Sequence, residues 1–165
     1  MSLIEEAHNT LDMAPHIGTL QRLAQGCKQA AEFGVRTGVS TWALLDALAP
    51  DGALHSWDIV NVWDMVDDRV RGDPRWTFHF GPSQDALAEC PELRPELEFI
   101  DSSHDYHQTI TELNIAAAWD APLIVCHDWN ISDVRDAVRG FCERSRYRLV
   151  GIEESAWGMA WLRKP

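Results

Sequence analysis

Four residues carry the chemistry most open to reading: Asp101, His104, His127 and Asp128. Each pair follows a predicted strand, Leu97–Ile100 for the first and the wholly apolar Leu123–Cys126 for the second. Two carboxylates and an imidazole brought together could hold Mg²⁺ or another divalent cation, which takes oxygen ligands. Such an ion through Asp101, His127 and Asp128 would acidify and orient a substrate hydroxyl. Without a metal, His127 could act as a general base, its ordinary pKa being about 6.5. A structural role is also open, with Asp128 capping the next helix and His104 packing beside a ligand. Convergent carboxylates repel unless a cation or a common proton lies between them, which leans toward the metal. Trp129, next to Asp128, could wall the site.

A second constellation lies upstream, in Glu32-Phe33-Gly34-Val35-Arg36-Thr37-Gly38-Val39-Ser40-Thr41. Gly34 and Gly38 allow positive φ and close backbone approach to a ligand. Ser40 or Thr41 could cap the following helix, whose N-terminal amides would face that ligand. The turn is neither the dinucleotide G-x-G-x-x-G nor a P-loop ending in GK[ST], so triphosphate binding is disfavoured. An acidic residue about 20 positions on, after the second strand, suits ribose hydroxyls, and Asp58 stands there.

These residues need strands to position them. The spacing predicts a helix over His16, Leu20, Leu23 and Ala24 stopped at Gly26, a strand at Gln29–Phe33, and a helix face of Thr41, Leu44, Leu45 and Leu48. Strands follow at Leu54–Val60, at Trp76, Phe78 and Phe80 with one buried face, at Leu97–Ile100, and at the wholly apolar Leu123–Cys126. Helices are expected at Asp64–Val70, at Ser83–Leu87, over Ile110, Leu113, Asn114 and Ala117 behind an Asp105/Gln108 capping box, and over Val134, Ala137, Val138 and Phe141. Tyr147–Ile152 and Ala156–Leu162 read as a closing hairpin. The alternation argues for one α/β domain over 1–165, with a doubly wound, mostly parallel, seven-stranded sheet. Ligands of such sheets bind at the carboxyl ends of the strands, where all the residues above fall.

The segment EFGVRTGVSTWALL resembles motif I of the class I S-adenosylmethionine (SAM)-dependent methyltransferases, in the branch of small O-methyltransferases that includes cephalosporin-hydroxylase-like proteins. Asp58, Gly81-Pro82-Ser83, Ile100-Asp101-Ser102-Ser103-His104-Asp105-Tyr106 and His127-Asp128 continue the resemblance in order over about residues 14–145. It implies a Rossmann-like fold and transfer of a methyl group to oxygen of a small molecule or sugar, with a divalent cation where the strand-end cluster holds one. Glu32, Gly34, Arg36, Thr37, Gly38 and Ser40 would form the cofactor turn, with Gly34, Gly38 and Ser40 cradling the methionine part of SAM. Asp58 would take the ribose, Gly81 and Ser83 the adenine, and Asp101 and His104 would also border the cofactor. The chain departs from the pattern at Ser102-Ser103, where many relatives have Gly-Asp, and at His127, which replaces the first acid of a pair. A SAM- or nucleoside-binding subunit or sensor of the same fold, without transferase activity, is the alternative.

Composition narrows the partners. A net charge of −12 and no Lys/Arg run argue against nucleic acid and anionic membrane surfaces. The four cysteines, Cys27, Cys90, Cys126 and Cys142, form no CxxC pair and fit reduced thiols in the cytoplasm. His8, His16, His55, His79 and His107 show no ligand spacing. The N-terminus, with Glu5 and Glu6, does not read as a leader, and no run approaches the roughly 18 apolar residues of a membrane span. A homo-oligomer is expected to be possible, since the chain has little length for a lid of its own.

Overall fold

Helix α1 (Ile17–Ala24) leads into strand β1 (Gln29–Phe33), helix α2 (Val39–Ala47) and strand β2 (Ala53–Asp58). Short α3 (Asp68–Arg71), β3 (Trp76–Phe80), a 3₁₀ turn (Ser83–Asp85) and α4 (Ala86–Glu89) follow. Then come β4 (Leu97–Ile100), α5 (Tyr106–Ala118), β5 (Leu123–His127), α6 (Ser132–Arg144), β6 (Arg148–Glu153) and β7 (Met159–Arg163). The structure is a computed structural model and describes residues 13–165, so Glu5, Glu6 and His8 lie outside the described residues.

The seven strands form one sheet in the order β3-β2-β1-β4-β5-β7-β6. Strands β1 to β5 pair in parallel and β7 runs antiparallel to both β5 and β6. This is the expected doubly wound sheet with its closing hairpin. The chain leaves β1 to build outward through β2 and β3, then returns to the other side at β4. The reversal opens a crevice at the carboxyl ends of β1 and β4.

Two apolar layers hold the helices to the sheet. Leu20, Leu44, Leu54, Phe99 and Val125 lie on one face with α1 and α2. Phe33, Trp57, Leu113, Trp119, Ile124 and Val138 lie on the other with α5 and α6. Each such fully buried side chain contributes about 1.5–3 kcal/mol by leaving water. Strand β5 is buried at every position, as its unbroken apolar run requires.

Some elements differ from the sequence expectation for local reasons. The helix expected over Asp64–Val70 shrinks to α3, because Asp67 caps it by accepting from the Arg69 amide. Strand β3 buries Trp76 but leaves Phe80, at the end of this edge strand, 66 % exposed. Helix α5 buries Thr109, Glu112, Leu113 and Ala116, while Asn114 faces solvent. Only half of the capping box forms. Asp105 accepts from the amides of His107 and Gln108, but the Gln108 side chain turns inward to Ser83 and Glu112.

Candidate active site

The glycine turn after β1 is shaped mainly by backbone. Gly34 has φ +92°, and a Cβ there would stand 2.1 Å from the carbonyl oxygen of Asp101. Only glycine lets the first turn lie against the end of β4. Gly38, with φ +79°, starts α2 without a side-chain cap, and a Cβ on it would strike Val66. Arg36 has φ +51°, a conformation that costs a non-glycine residue energy and needs support around it.

That support is Asp58. Its Oδ2 accepts from the amides of Val35 (2.9 Å) and Arg36 (3.0 Å), and Oδ1 from the amide of Val60 (2.8 Å). The end of β2 thus clamps the turn after β1. Glu32 clamps it from below. Its wholly buried carboxylate accepts from Ser40 Oγ (2.6 Å), Thr41 Oγ1 (2.8 Å) and Ser56 Oγ (2.7 Å). Burial pushes its pKa up to about 7 against the pull of those three hydroxyls. The Ser40 and Thr41 hydroxyls expected at a helix cap are therefore spent on Glu32.

Two cavities open at this end of the sheet. The first, about 480 Å³, is walled by Trp57, Ile59, Val60, Met65, Gly81 and Ser83. The second, about 590 Å³, is bordered by His104, His127, Asp128, Ile131 and Trp157. Both touch Gly34, Val35, Arg36, Asp101 and Ser102, so they meet across the glycine turn and the end of β4. Asp58 also borders the first cavity. Glu32, Thr37, Gly38 and Ser40 border neither: Glu32 and Ser40 are interior, Gly38 packs on Val66, and Thr37 faces solvent.

Asp101, His104, His127 and Asp128 do converge, as the strand ends require. His127 Nδ1 stands 3.2 Å from Asp101 Oδ1 and 3.1 Å from Asp128 Oδ2, while His104 Nε2 stands 2.7 Å from Asp128 Oδ2. The contacts of His127 are ionic approaches rather than aligned hydrogen bonds. Burial opposes charge on His127, but the two flanking carboxylates outweigh it and push its pKa up to about 10. Burial raises the Asp101 carboxyl. Burial works against ionisation of Asp128 too, yet His127 and His104 hold its carboxyl below the ordinary value. The cation expected between the carboxylates is therefore available within the protein, as the His127 imidazolium.

Within this cluster the three residues whose ligand atoms lie within 4.8 Å of one another are Asp101, His104 and Asp128, with His104 in the place expected for His127. His104 is half exposed, whereas His127 is buried. Asp128 itself sits at φ +60°, a second strained backbone position in the site.

Sequence reasoning missed several participants. Glu112 is buried in α5 and accepts from Ser83 Oγ (2.6 Å), Ser102 Oγ (2.7 Å) and Gln108 Nε2 (2.8 Å). It ties the Ser83 turn and the end of β4 to one helix. Its place three residues after Thr109 and four before Ala116, on the buried face of α5, was the available signal. Trp157 borders the second cavity, whereas Trp129 is buried in the core under the guanidinium of Arg139. His55, His79 and Cys90, unconnected by spacing, meet beside Trp57.

Comparison with solved structures shows how common this frame is. An O-methyltransferase from Bacillus cereus in complex with SAH superposes with a TM-score of 0.80 at 17 % identity, covering 99 % of this chain and 91 % of that one. The O-methyltransferase TomG from Streptomyces achromogenes, involved in tomaymycin synthesis and in complex with SAM, gives 0.76 at 17 % identity, with 99 % and 90 % covered. The SAH-bound methyltransferase PaMTH1 from Podospora anserina gives 0.68 at 13 % identity, with 99 % and 86 % covered. At such identities the likeness shows the fold. No curated protein matches the chain. A family described as a methyltransferase domain matches residues 31–129, which run from the middle of β1 past the His127-Asp128 pair. That stretch is more than half of the chain, and the chain belongs to this family of methyltransferase domains.

Proposed function

We propose that this protein transfers a methyl group from S-adenosylmethionine to an oxygen atom of a small molecule or sugar. The carrying observation is the pair of cavities meeting across Gly34–Arg36 and Asp101–Ser102. The first has an apolar wall suited to a nucleoside, and the second has charged groups suited to a hydroxyl acceptor. The three solved relatives above are methyltransferases bound to SAM or SAH, which supports the same ligand here. The residues fit it. Glycine at position 34 lets the turn lie against the end of β4 where the cavities meet, Asp58 stands beside the first cavity, and Ile59, Val60 and Met65 give it an apolar wall beside Gly81.

When bound, SAM supplies an electrophilic methyl group on a sulfonium. The chain's own residues do the rest. Gly34, Val35 and Arg36 present backbone to the ligand, and Asp58 holds that backbone in place while facing the ribose side. Ser83, fixed by Glu112, borders the adenine side. In the second cavity, Asp128 orients His104 through their 2.7 Å contact, and His104 accepts the proton of the acceptor hydroxyl. His127 balances the charge of Asp101 and Asp128 and fixes their positions. Positioning of this kind supplies much of the rate in a direct displacement.

A second reading has its own support. Asp101, His104 and Asp128 place their donor atoms close enough to hold a Mg²⁺-like cation, which would acidify the hydroxyl in place of a base. Methyl transfer from labelled SAM to a panel of phenols, catechols and sugars tests both. The base reading expects activity untouched by chelation and lost in His104→Ala. The metal reading expects chelation to abolish activity, Mg²⁺ or Mn²⁺ to restore it, and Asp101→Ala, His104→Ala and Asp128→Ala to cost similar large factors. Transfer that survives all three substitutions contradicts both readings. Turnover to oxygen also excludes a binding-only subunit or sensor.

Among the described residues no helix is long and apolar enough to cross a membrane, and all four cysteines are free. The free thiols support a reducing, cytoplasmic setting. Trp157, half exposed on the rim of the second cavity, suits contact with the acceptor or with a second copy of the chain.

A further inference from the structure

We propose a second metal site, for Zn²⁺, formed by His55, His79 and Cys90 at the β2–β3 edge of the sheet. Strands β2 and β3 pair in parallel with Trp57 opposite His79, so His55, Trp57 and His79 share one face. Cys90 follows α4 and comes down on that face. One ligand atom from each of His55, His79 and Cys90 lies within 4.8 Å of the other two. His55 Nδ1 and His79 Nε2 are already 3.0 Å apart, turned toward one another. All three side chains are half-buried, accessible to an ion yet held by their surroundings.

The neighbourhood supports this as a built site. The other ring nitrogen of His79, Nδ1, stands 3.6 Å from the Glu89 carboxylate. Glu89 is itself fixed by a 2.9 Å hydrogen bond from Trp57 Nε1. A carboxylate behind a ligating histidine is the arrangement that sets tautomer and ring orientation at metal sites. The His79 ring is further locked by stacking on Trp57, with centroids 4.2 Å apart and planes 8° from parallel. Cys90 is anchored too, its carbonyl accepting from Trp119 Nε1 at 3.0 Å. Two imidazoles and a thiolate are a donor set for Zn²⁺ rather than Mg²⁺ or Ca²⁺. Water would complete a tetrahedron. The segment between β3 and Cys90 carries Gly81 and Ser83 of the first cavity, so the ion would tie that segment to the sheet.

Titration of the full chain with Co²⁺, a coloured substitute for Zn²⁺, tests the site. A thiolate-to-cobalt charge-transfer band should appear at one ion per chain and be bleached by Zn²⁺. Cys90→Ser should abolish the band. His79→Gln should weaken binding by more than tenfold, and Glu89→Gln by about tenfold. Asp128→Asn should leave the band intact, because the Asp101–His104–Asp128 cluster contains no sulfur. Zn²⁺ should raise the Tm of the wild type but not of Cys90→Ser. No band with the wild-type chain, or a band that survives Cys90→Ser, overturns the proposal. Neither result bears on SAM binding, which the Cys90→Ser protein should retain.

Discussion

The two halves of the candidate active site are built by different means. The half around the first cavity is mostly backbone: a turn with positive φ at Gly34, Arg36 and Gly38, stitched from both sides by Asp58 and Glu32. Its carboxylates brace the turn, Asp58 through the Val35 and Arg36 amides and Glu32 through the Ser40 and Thr41 hydroxyls. The half around the second cavity is mostly side-chain charge: Asp101, Asp128 and His127 compensate one another, and His104 remains on the open side. A backbone site can be specified by a few glycines and their braces. A charged site depends on which groups end up facing which, and that is settled by register.

The sharpest way to break the charged half is to remove its internal cation. His127→Gln leaves the buried Asp128 and the neighbouring Asp101 without their imidazolium, and loss of one member of a buried ion pair costs about 3–5 kcal/mol. Denaturant unfolding should show that loss near neutral pH. The pH dependence follows from the direction of the shift. The folded-state pKa of His127 lies above its unfolded value. Its contribution is thus fully present below about pH 6.5 and lost as pH rises through about 10. The His127→Gln protein should lack that alkaline loss.

The backbone half breaks at Gly34. Gly34→Ala combines a left-handed φ with a Cβ driven into the Asp101 carbonyl. Stability should fall by about 3 kcal/mol, from backbone strain and overpacking together. A change of the same size at Gly81, where a Cβ meets nothing within 4 Å, should leave stability nearly unaltered. If the two substitutions prove equally harmful, close approach is not what places glycine at 34.

Glu32 separates the halves by pH. Its folded-state pKa of about 7 lies above the ordinary 4.5, so its contribution is fully present below pH 4.5 and lost as pH rises through 7. The window is opposite in sign to that of Asp128, whose depressed pKa gives stability that is lost in acid. Glu32→Gln should remove roughly 3 kcal/mol of the fall in stability between those two pH values. The buried Glu98 and Glu112 are raised as well and should leave a residual slope of the same sign. A stability–pH curve identical to wild type would mean that Glu32 is ionised in the fold without cost.

The contrast also explains what the sequence made legible. Strand β1, the glycine turn, Asp58 at the end of β2 and the pairs after β4 and β5 are local patterns: apolar runs ending in a polar residue at fixed chain positions. They could be read one segment at a time. The facing of side chains across strands could not. That His127 would be the buried cation and His104 the open imidazole depends on how β4 and β5 line up, with Ile100 opposite Cys126. The capture of Ser40 and Thr41 by Glu32 follows from Glu32 pointing into the interior from a central strand. The His55–His79–Cys90 cluster needs the β2–β3 register and the turn into Cys90, neither of which leaves a mark in residue spacing.

The central claim is that the first cavity, framed by the Asp58-braced turn, binds S-adenosylmethionine. Calorimetric titration with its demethylated product, S-adenosylhomocysteine, addresses it without knowledge of the acceptor. The account predicts saturable binding at millimolar affinity or tighter, one ligand per chain, with ATP and NAD binding far more weakly. Asp58→Ala should lower the affinity by about 1–3 kcal/mol, the cost of losing a charged acceptor that also holds the Val35 and Arg36 amides in place. No heat at saturating concentrations of folded wild-type protein would contradict the account. So would an Asp58→Ala protein that loses thermal stability while binding as tightly as the wild type.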